Sequence, residues 1–208
     1  MKQRIITAII LLLTLLFFLW LGGVPYIIFI IIVLSIAGFE WSQLFLAGGF
    51  SPSSVLTITG IVSSIAFSLL LPTVDKRIFY IGFLAVSFTL EFFHQKKTHN
   101  KLLMNLLAQS CGVLYLSEFG LSFIQLRLLS HGIYWLLFFV AITATGDSIA
   151  LFIGKRWGKH KLLENISPNK SWEGLGAGVL AAGITGVGFA LFRPYPNHTS
   201  SLWGFVMA

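Results

Sequence analysis

From residue 5 to residue 192 the sequence is a succession of apolar runs, each close to bilayer length, and that leaves few architectures open. A spanning helix needs about 20 mainly apolar residues, and the hydrocarbon core admits only structures that pair every backbone N–H and C=O internally. Helices are therefore predicted near residues 5–21, 24–40, 53–71, 78–93, 102–118, 131–153 and 174–192, with an eighth starting near Ser201 and running to Ala208. The breaks carry turn-forming residues: Gly22 to Pro25, Gly48 to Pro52, Pro72, His94 to Asn100 and Pro194 to Pro196. The expected fold is all-α, a polytopic transmembrane helix bundle of seven complete spans plus the start of an eighth. No internal repeat, low-complexity stretch or soluble segment interrupts it, so residues 1–208 read as a single membrane domain.

Composition agrees, with 56% hydrophobic and 10% charged residues and a mean hydropathy of +0.88 excluding an ordinary soluble domain. Lys2 and Arg4 ahead of an apolar run imitate a signal peptide, but no small-residue cleavage site follows. Gly22, Gly23 and Pro25 instead lead straight into a second apolar run, which predicts a retained helical hairpin. The net charge of +7 raises the question of nucleic acid, yet the bases sit in short connections rather than along one stripe, so no nucleic-acid partner is expected.

Those bases orient the chain, because cytoplasmic loops are enriched in Lys and Arg. A cytoplasmic N-terminus places Lys2, Arg4, Lys96, Lys97, Lys101, Lys155, Arg156, Lys159, Lys161 and Lys170 on that side. Only Lys76, Arg77, Arg127 and Arg193 then face the other way. The segment from Asp147 to Glu173 becomes cytoplasmic.

That segment is the polar anomaly of the chain. Asp147 is an ionisable residue inside a span, which costs roughly 2.5–3.5 kcal/mol even on gentle insertion scales and so marks function by default. Residues three, four and seven apart share a helix face, which aligns Thr143, Asp147, Ala150 and Gly154. Small residues recur every fourth position at Gly146, Ala150 and Gly154, and again at Gly174, Gly178, Ala182, Gly186 and Ala190. That spacing permits close helix packing, and packing alone accounts for it.

Between the two stripes lie Lys155, Arg156, Lys159, His160 and Lys161, followed by Ser167, Pro168, Asn169, Lys170, Ser171, Trp172, Glu173 and Gly174. The first cluster suits a positive-inside anchor that meets anionic headgroups. The second presents hydroxyl, ammonium and carboxylate groups, with Ser171 placed to cap the following helix. Such a set suits a phosphorylated substrate and Mg²⁺, since oxygen ligands and phosphates favour that ion. GKRWGKHK lacks the Walker A spacing, and neither HExxH nor CxxC occurs. Elsewhere, Glu40 and Trp41 read as an interfacial anchor pair, Glu91 and His94 as a solvated helix end, and Cys111 as a small buried hydrophobe. Tyr115, Glu118, Arg127 and His131 suggest no constellation.

GDSIALFIGKRWGKHKL followed by SPNKSWEG strongly resembles the bacterial phosphatidate cytidylyltransferase family, also called CDP-diacylglycerol synthase. The resemblance rests on Asp147, Ser148, Ala150, Gly154, Lys155, Gly158, Lys159, Ser167, Pro168, Lys170, Glu173 and Gly174. Leu151 and Phe152 stand where the family usually has aromatic residues, and Ser171 where Thr is commoner. The resemblance implies transfer of a cytidylyl group from CTP to phosphatidic acid, giving CDP-diacylglycerol and pyrophosphate, with Mg²⁺ as cofactor. By this resemblance Asp147, Lys170 and Glu173 are expected to act in catalysis, with Asp147 also holding metal. Ser148, Lys155, Lys159, Ser167 and Ser171 are expected to bind substrate. Membrane lipid is the surrounding partner, a homodimer the expected assembly, and the bacterial inner membrane the expected location. The family's second signature, a Ser-x-x-Lys-Arg, Lys-Asp, Pro-Gly-His-Gly-Gly and Asp-Arg-x-Asp series, does not occur before Ala208. The expectation is a C-terminally truncated chain that is inactive by itself. The competing readings are a CTP-dependent polyprenol or lipid kinase and a non-enzymatic transporter or scaffold, although paired broken helices and inverted repeats typical of transporters are not visible.

Overall fold

The computed structural model describes residues 2–94, 99–163 and 167–191. Among them are seven helices: α1 (Lys2–Leu21), α2 (Gly23–Ala47), α3 (Ser54–Leu70), α4 (Lys76–His94), α5 (His99–Leu128), α6 (Gly132–Trp157) and α7 (Trp172–Leu191). Two short strands, β1 (Lys161–Leu163) and β2 (Ser167–Ser171), stand between α6 and α7. The predicted helix order is therefore the observed one, and the fold is an all-α membrane bundle. Among the described residues four segments are long and apolar enough to cross a bilayer: Gly23–Ala47, Leu102–Leu128, Gly132–Trp157 and Trp172–Leu191. Ile10–Leu21 and Ser54–Leu70 are shorter apolar helices. The predicted eighth helix from Ser201, the break at 194–196, and Lys96, Lys97 and Arg193 lie outside the described residues.

Packing divides the chain into two compact units, residues 1–130 and 131–208. In the first, Tyr26, Ile30 and Leu34 of α2 are buried, as are Ile61 and Ile65 of α3 and Val113, Leu121 and Ile124 of α5. The α1–α2 turn needs glycine, since Gly22 and Gly23 adopt φ of 62° and 54°. Arg127 reaches this turn from α5 and donates through Nε to the carbonyl of Leu19 at 3.1 Å. It thereby satisfies one of the carbonyls that the end of α1 leaves open.

Several polar residues sit differently from expectation. α2 runs on to Ala47, so Trp41 is an interior position of the helix rather than its interfacial end. Its indole Nε1 donates to the carbonyl of Ala108 at 2.8 Å and fills the space beside Gly112, where a Cβ would approach Nε1 to 2.6 Å. Trp41 thus keys α2 into α5 and is no surface anchor. Glu40 beside it is exposed.

Glu91 is likewise not a solvated end: it is 5% exposed and accepts from Gln109 Nε2 at 2.8 Å. A carboxylate is held inside a helix bundle only when such donors replace water. Glu118 also has partners, Lys76 at 2.5 Å and the Tyr80 hydroxyl at 2.9 Å. Cys111, by contrast, is exposed on α5 rather than buried.

Candidate functional site

The second unit contains the whole stretch from Asp147 to Glu173. Its foundation is the seam between α6 and α7, built from the two small-residue stripes. A Cβ added at Gly174 would come within 2.7 Å of the Ala150 carbonyl and 3.1 Å of Gly154 Cα. One added at Gly178 would lie 2.9 Å from both the Ala150 Cβ and the Gly146 carbonyl. The helices therefore touch backbone to backbone, an approach that small residues permit. Thr145 and Thr185 add a hydroxyl contact of 3.0 Å across the seam, and the Tyr134 hydroxyl donates to the Phe189 carbonyl.

At the open end of this seam the chain turns through an antiparallel β-hairpin. Lys161 pairs with Ser171 and Leu163 with Ser167, with an irregularity between the two pairs. The helix pattern of the sequence gives no sign of these strands. Ser171, 4% exposed, closes the hairpin and begins α7, its Oγ accepting from the Gly174 N–H at 3.2 Å. That is the N-cap the sequence suggests, and it satisfies one of the four open donors of the helix start. The same hydroxyl lies against Gly154 and Gly158, where an added Cβ would reach it at 3.1 and 2.5 Å. Ser171 is thus a buried hydroxyl engaged with the start of α7.

Glu173 sits in the first turn of α7, where a negative charge is favoured by the helix dipole. Its oxygens accept from the His160 backbone N–H at 3.2 and 3.3 Å, and Oε1 lies 2.7 Å from His160 Nδ1. The Trp172 N–H donates back to the His160 carbonyl at 3.0 Å. The sequence offers His160 only as one member of a basic cluster, and the structure makes it the partner of Glu173. Thirteen positions separate it from Glu173, and only the hairpin pairing brings the two together.

The remaining expected site residues are open to the surroundings. Lys155 lies in the last turn of α6, where a cation complements the helix dipole, and is exposed. Lys159 and Lys170 are exposed on the hairpin side, and Ser167 is half-buried at the start of β2. The guanidinium of Arg156 stacks 5.1 Å over the Trp157 ring.

Asp147 and Ser148 are exposed on α6, and among the described residues Asp147 has no hydrogen-bond or ion-pair partner. Asp147 flanks the packed face formed by Gly146, Ala150 and Gly154. Because Ser171 is level with Gly154, Asp147 stands seven residues, roughly 10 Å, further along α6. The structure therefore gathers Ser171, Glu173 and His160 at one end and leaves Asp147 apart from them.

Among the described residues no group of three or more His, Cys, Asp or Glu side chains converges on a metal position. The unpartnered carboxylate of Asp147 fits Mg²⁺ as a single protein ligand, since that ion commonly takes one or two carboxylates and completes its shell with phosphates and water. Glu173 fits less well, because both oxygens already accept from His160.

Known proteins resemble this chain over most of its length. It is 26% identical over 204 residues to a phosphatidate cytidylyltransferase of Bacillus subtilis, covering 94% of this chain and 74% of that protein. A phosphatidate cytidylyltransferase of Brucella melitensis is 30% identical over 190 residues, covering 89% and 66% respectively. The enzyme of the same name from Haemophilus influenzae is 33% identical over 81 residues, which is 37% of this chain and 27% of that one. The chain thus spans from about a quarter to about three quarters of the curated relatives it matches. No solved structure matches it. The cytidylyltransferase family, however, matches over residues 2–208, so the chain belongs to the cytidylyltransferase family.

Proposed function

We propose that this protein serves CTP-dependent CDP-diacylglycerol synthesis, taking CTP and phosphatidic acid as substrates within a membrane. Family membership along residues 2–208 is the observation that carries this reading. The chemistry of the α6–α7 end supports it: exposed lysines beside a bilayer-length helix pair suit a lipid phosphate and a nucleotide triphosphate. Nothing in the site favours a lipid kinase or a transporter.

In the proposed reaction an oxygen of the phosphatidate monoester attacks the α-phosphorus of CTP. The new P–O bond forms as the bond from the α-phosphorus to the β-bridging oxygen breaks, and pyrophosphate leaves. Two polyanions must meet, so positioning and charge neutralisation account for most of the barrier lowering. Lys155, Lys159 and Lys170 draw in the phosphates, and Ser148 and Ser167 offer hydroxyl donors. Asp147 is the ligand for Mg²⁺, which when bound neutralises triphosphate charge. The N-terminus is cytoplasmic in this reading, which puts the hairpin on the side where CTP is found, in the inner membrane of a bacterial cell.

The test is to supply the protein in lipid nanodiscs with labelled CTP, phosphatidic acid and Mg²⁺, and to look for labelled CDP-diacylglycerol. Absence of any labelled lipid from well-folded protein would refute the reading. Asp147→Asn is expected to lower turnover by at least about a hundredfold, in line with loss of a charge-stabilising group, while inserting normally. Wild-type turnover in that variant would remove Asp147 from the mechanism.

A further inference from the structure

The carboxylate of Glu173 is committed to His160, and that engagement gives the pair a role that neither residue shows alone. His160 is fastened to the start of α7 at three points: its N–H and its Nδ1 meet Glu173, and its carbonyl accepts from Trp172. The chain enters this lock without slack. Gly158 donates to the Gly154 carbonyl at 3.2 Å, and a Cβ there would lie 2.8 Å from Ser171 Cβ. On the far side of the hairpin the Ser171 cap fixes the end of β2. Both ends of a short hairpin are therefore tied to the same helix terminus.

The lysines carried by this hairpin are the opposite case. Lys159 and Lys161 flank His160, and Lys170 precedes Ser171. All three are exposed, and among the described residues none forms an ion pair with a carboxylate. Among the described residues the nearby acid is Glu173, which points its oxygens at His160. Lysine heads left free on a tethered backbone are arranged for an external anion, and a phosphate group is the anion that a compact ammonium charge suits.

We propose that His160 and Glu173 are positioning residues, a clasp that holds Lys159 and Lys170 toward the phosphates of the substrates, and that Glu173 acts through His160 and not as a metal ligand. This rests on the nucleotidyl-transfer reading above. The clasp stabilises the bound form of both substrates, so its loss raises KM while the chemical step is largely kept.

The test uses the protein in nanodiscs with His160→Ala, Glu173→Ala, the double variant, and His160→Asn, whose side-chain amide restores a donor near the place of Nδ1. His160→Ala and Glu173→Ala should each raise KM for CTP or phosphatidic acid about tenfold, the loss expected from one charge-assisted hydrogen bond. The double variant should be no worse than either single one, His160→Asn should recover most of the loss, and half-saturation by Mg²⁺ should not move. A shifted Mg²⁺ requirement in Glu173→Ala, an additive double variant, or unchanged KM in His160→Ala would each overturn the proposal. Hydrogen exchange at the Trp172 amide gives a reading independent of activity. It should quicken by about tenfold in His160→Ala and return in His160→Asn. Unchanged exchange refutes the clasp even if no cytidylyl transfer is found, whereas faster exchange in a protein lacking transfer refutes only the functional reading.

Discussion

Two glycines two residues apart on α7 give a direct measure of the α6–α7 seam. Gly174 faces α6, and its Cβ would press to 2.7 Å against the Ala150 carbonyl and to 3.1 Å against Gly154 Cα. Gly176 faces away, with nothing within 4 Å of the same position. Replacing either by Ala gives the same intrinsic helix gain, about 0.8–1 kcal/mol. At Gly174 that gain is opposed by an overpacking cost of about 1–3 kcal/mol, because the obstructing atoms are backbone and cannot rotate aside. Subtracting one variant from the other cancels the propensity contribution and leaves the seam cost alone. Gly174→Ala should therefore be less stable than Gly176→Ala by about 1–3 kcal/mol, a factor of roughly 5 to 150 in the unfolding equilibrium. SDS titration in mixed micelles, followed by tryptophan fluorescence, measures both on the same footing. Equal stability of the two variants would show that the helices do not touch at Gly174 and would refute the backbone contact.

The other interactions make smaller claims. Ser171→Ala removes the α7 cap and should cost about 0.5–2 kcal/mol in the same titration, and no loss would mean that the N-cap bond is not formed. Gln109→Leu deprives buried Glu91 of its amide donor and should lower stability by about 1–3 kcal/mol. A melting temperature equal to wild type would place Glu91 in contact with solvent.

The helices were legible because apolar length and glycine or proline breaks are local properties. Their ends were less so. α5 continues to Leu128, ten residues past the predicted end at Glu118, because the polar residues there find partners within the bundle. Ser117 Oγ donates to the Val113 carbonyl, Ser122 Oγ to the Glu118 carbonyl, and the Glu118 carboxylate takes Lys76 and Tyr80. Hydropathy counts such residues as the end of a helix, while the fold gives them partners and the helix continues. The same error shortened α2 at Glu40, and it counted Glu91, buried in the last turn of α4, as solvated.

The hairpin was illegible for a different reason. KLL and SPNKS are too short to alternate, one contains proline, and their register is irregular. The cap at Ser171 was legible because its signal is a single position. The contact between His160 and Glu173 was not legible, because the two residues meet only after the strands pair.

The small-residue seam also limits how the two helices move. Gly146, Ala150 and Gly154 face Gly174, Gly178 and Ala182 in repeats of four residues, which is about 6 Å along a helix. Between matched positions a slide would drive larger side chains into backbone. The seam is thus a ratchet with a coarse step: α7 stays in register with α6 or jumps by a whole repeat.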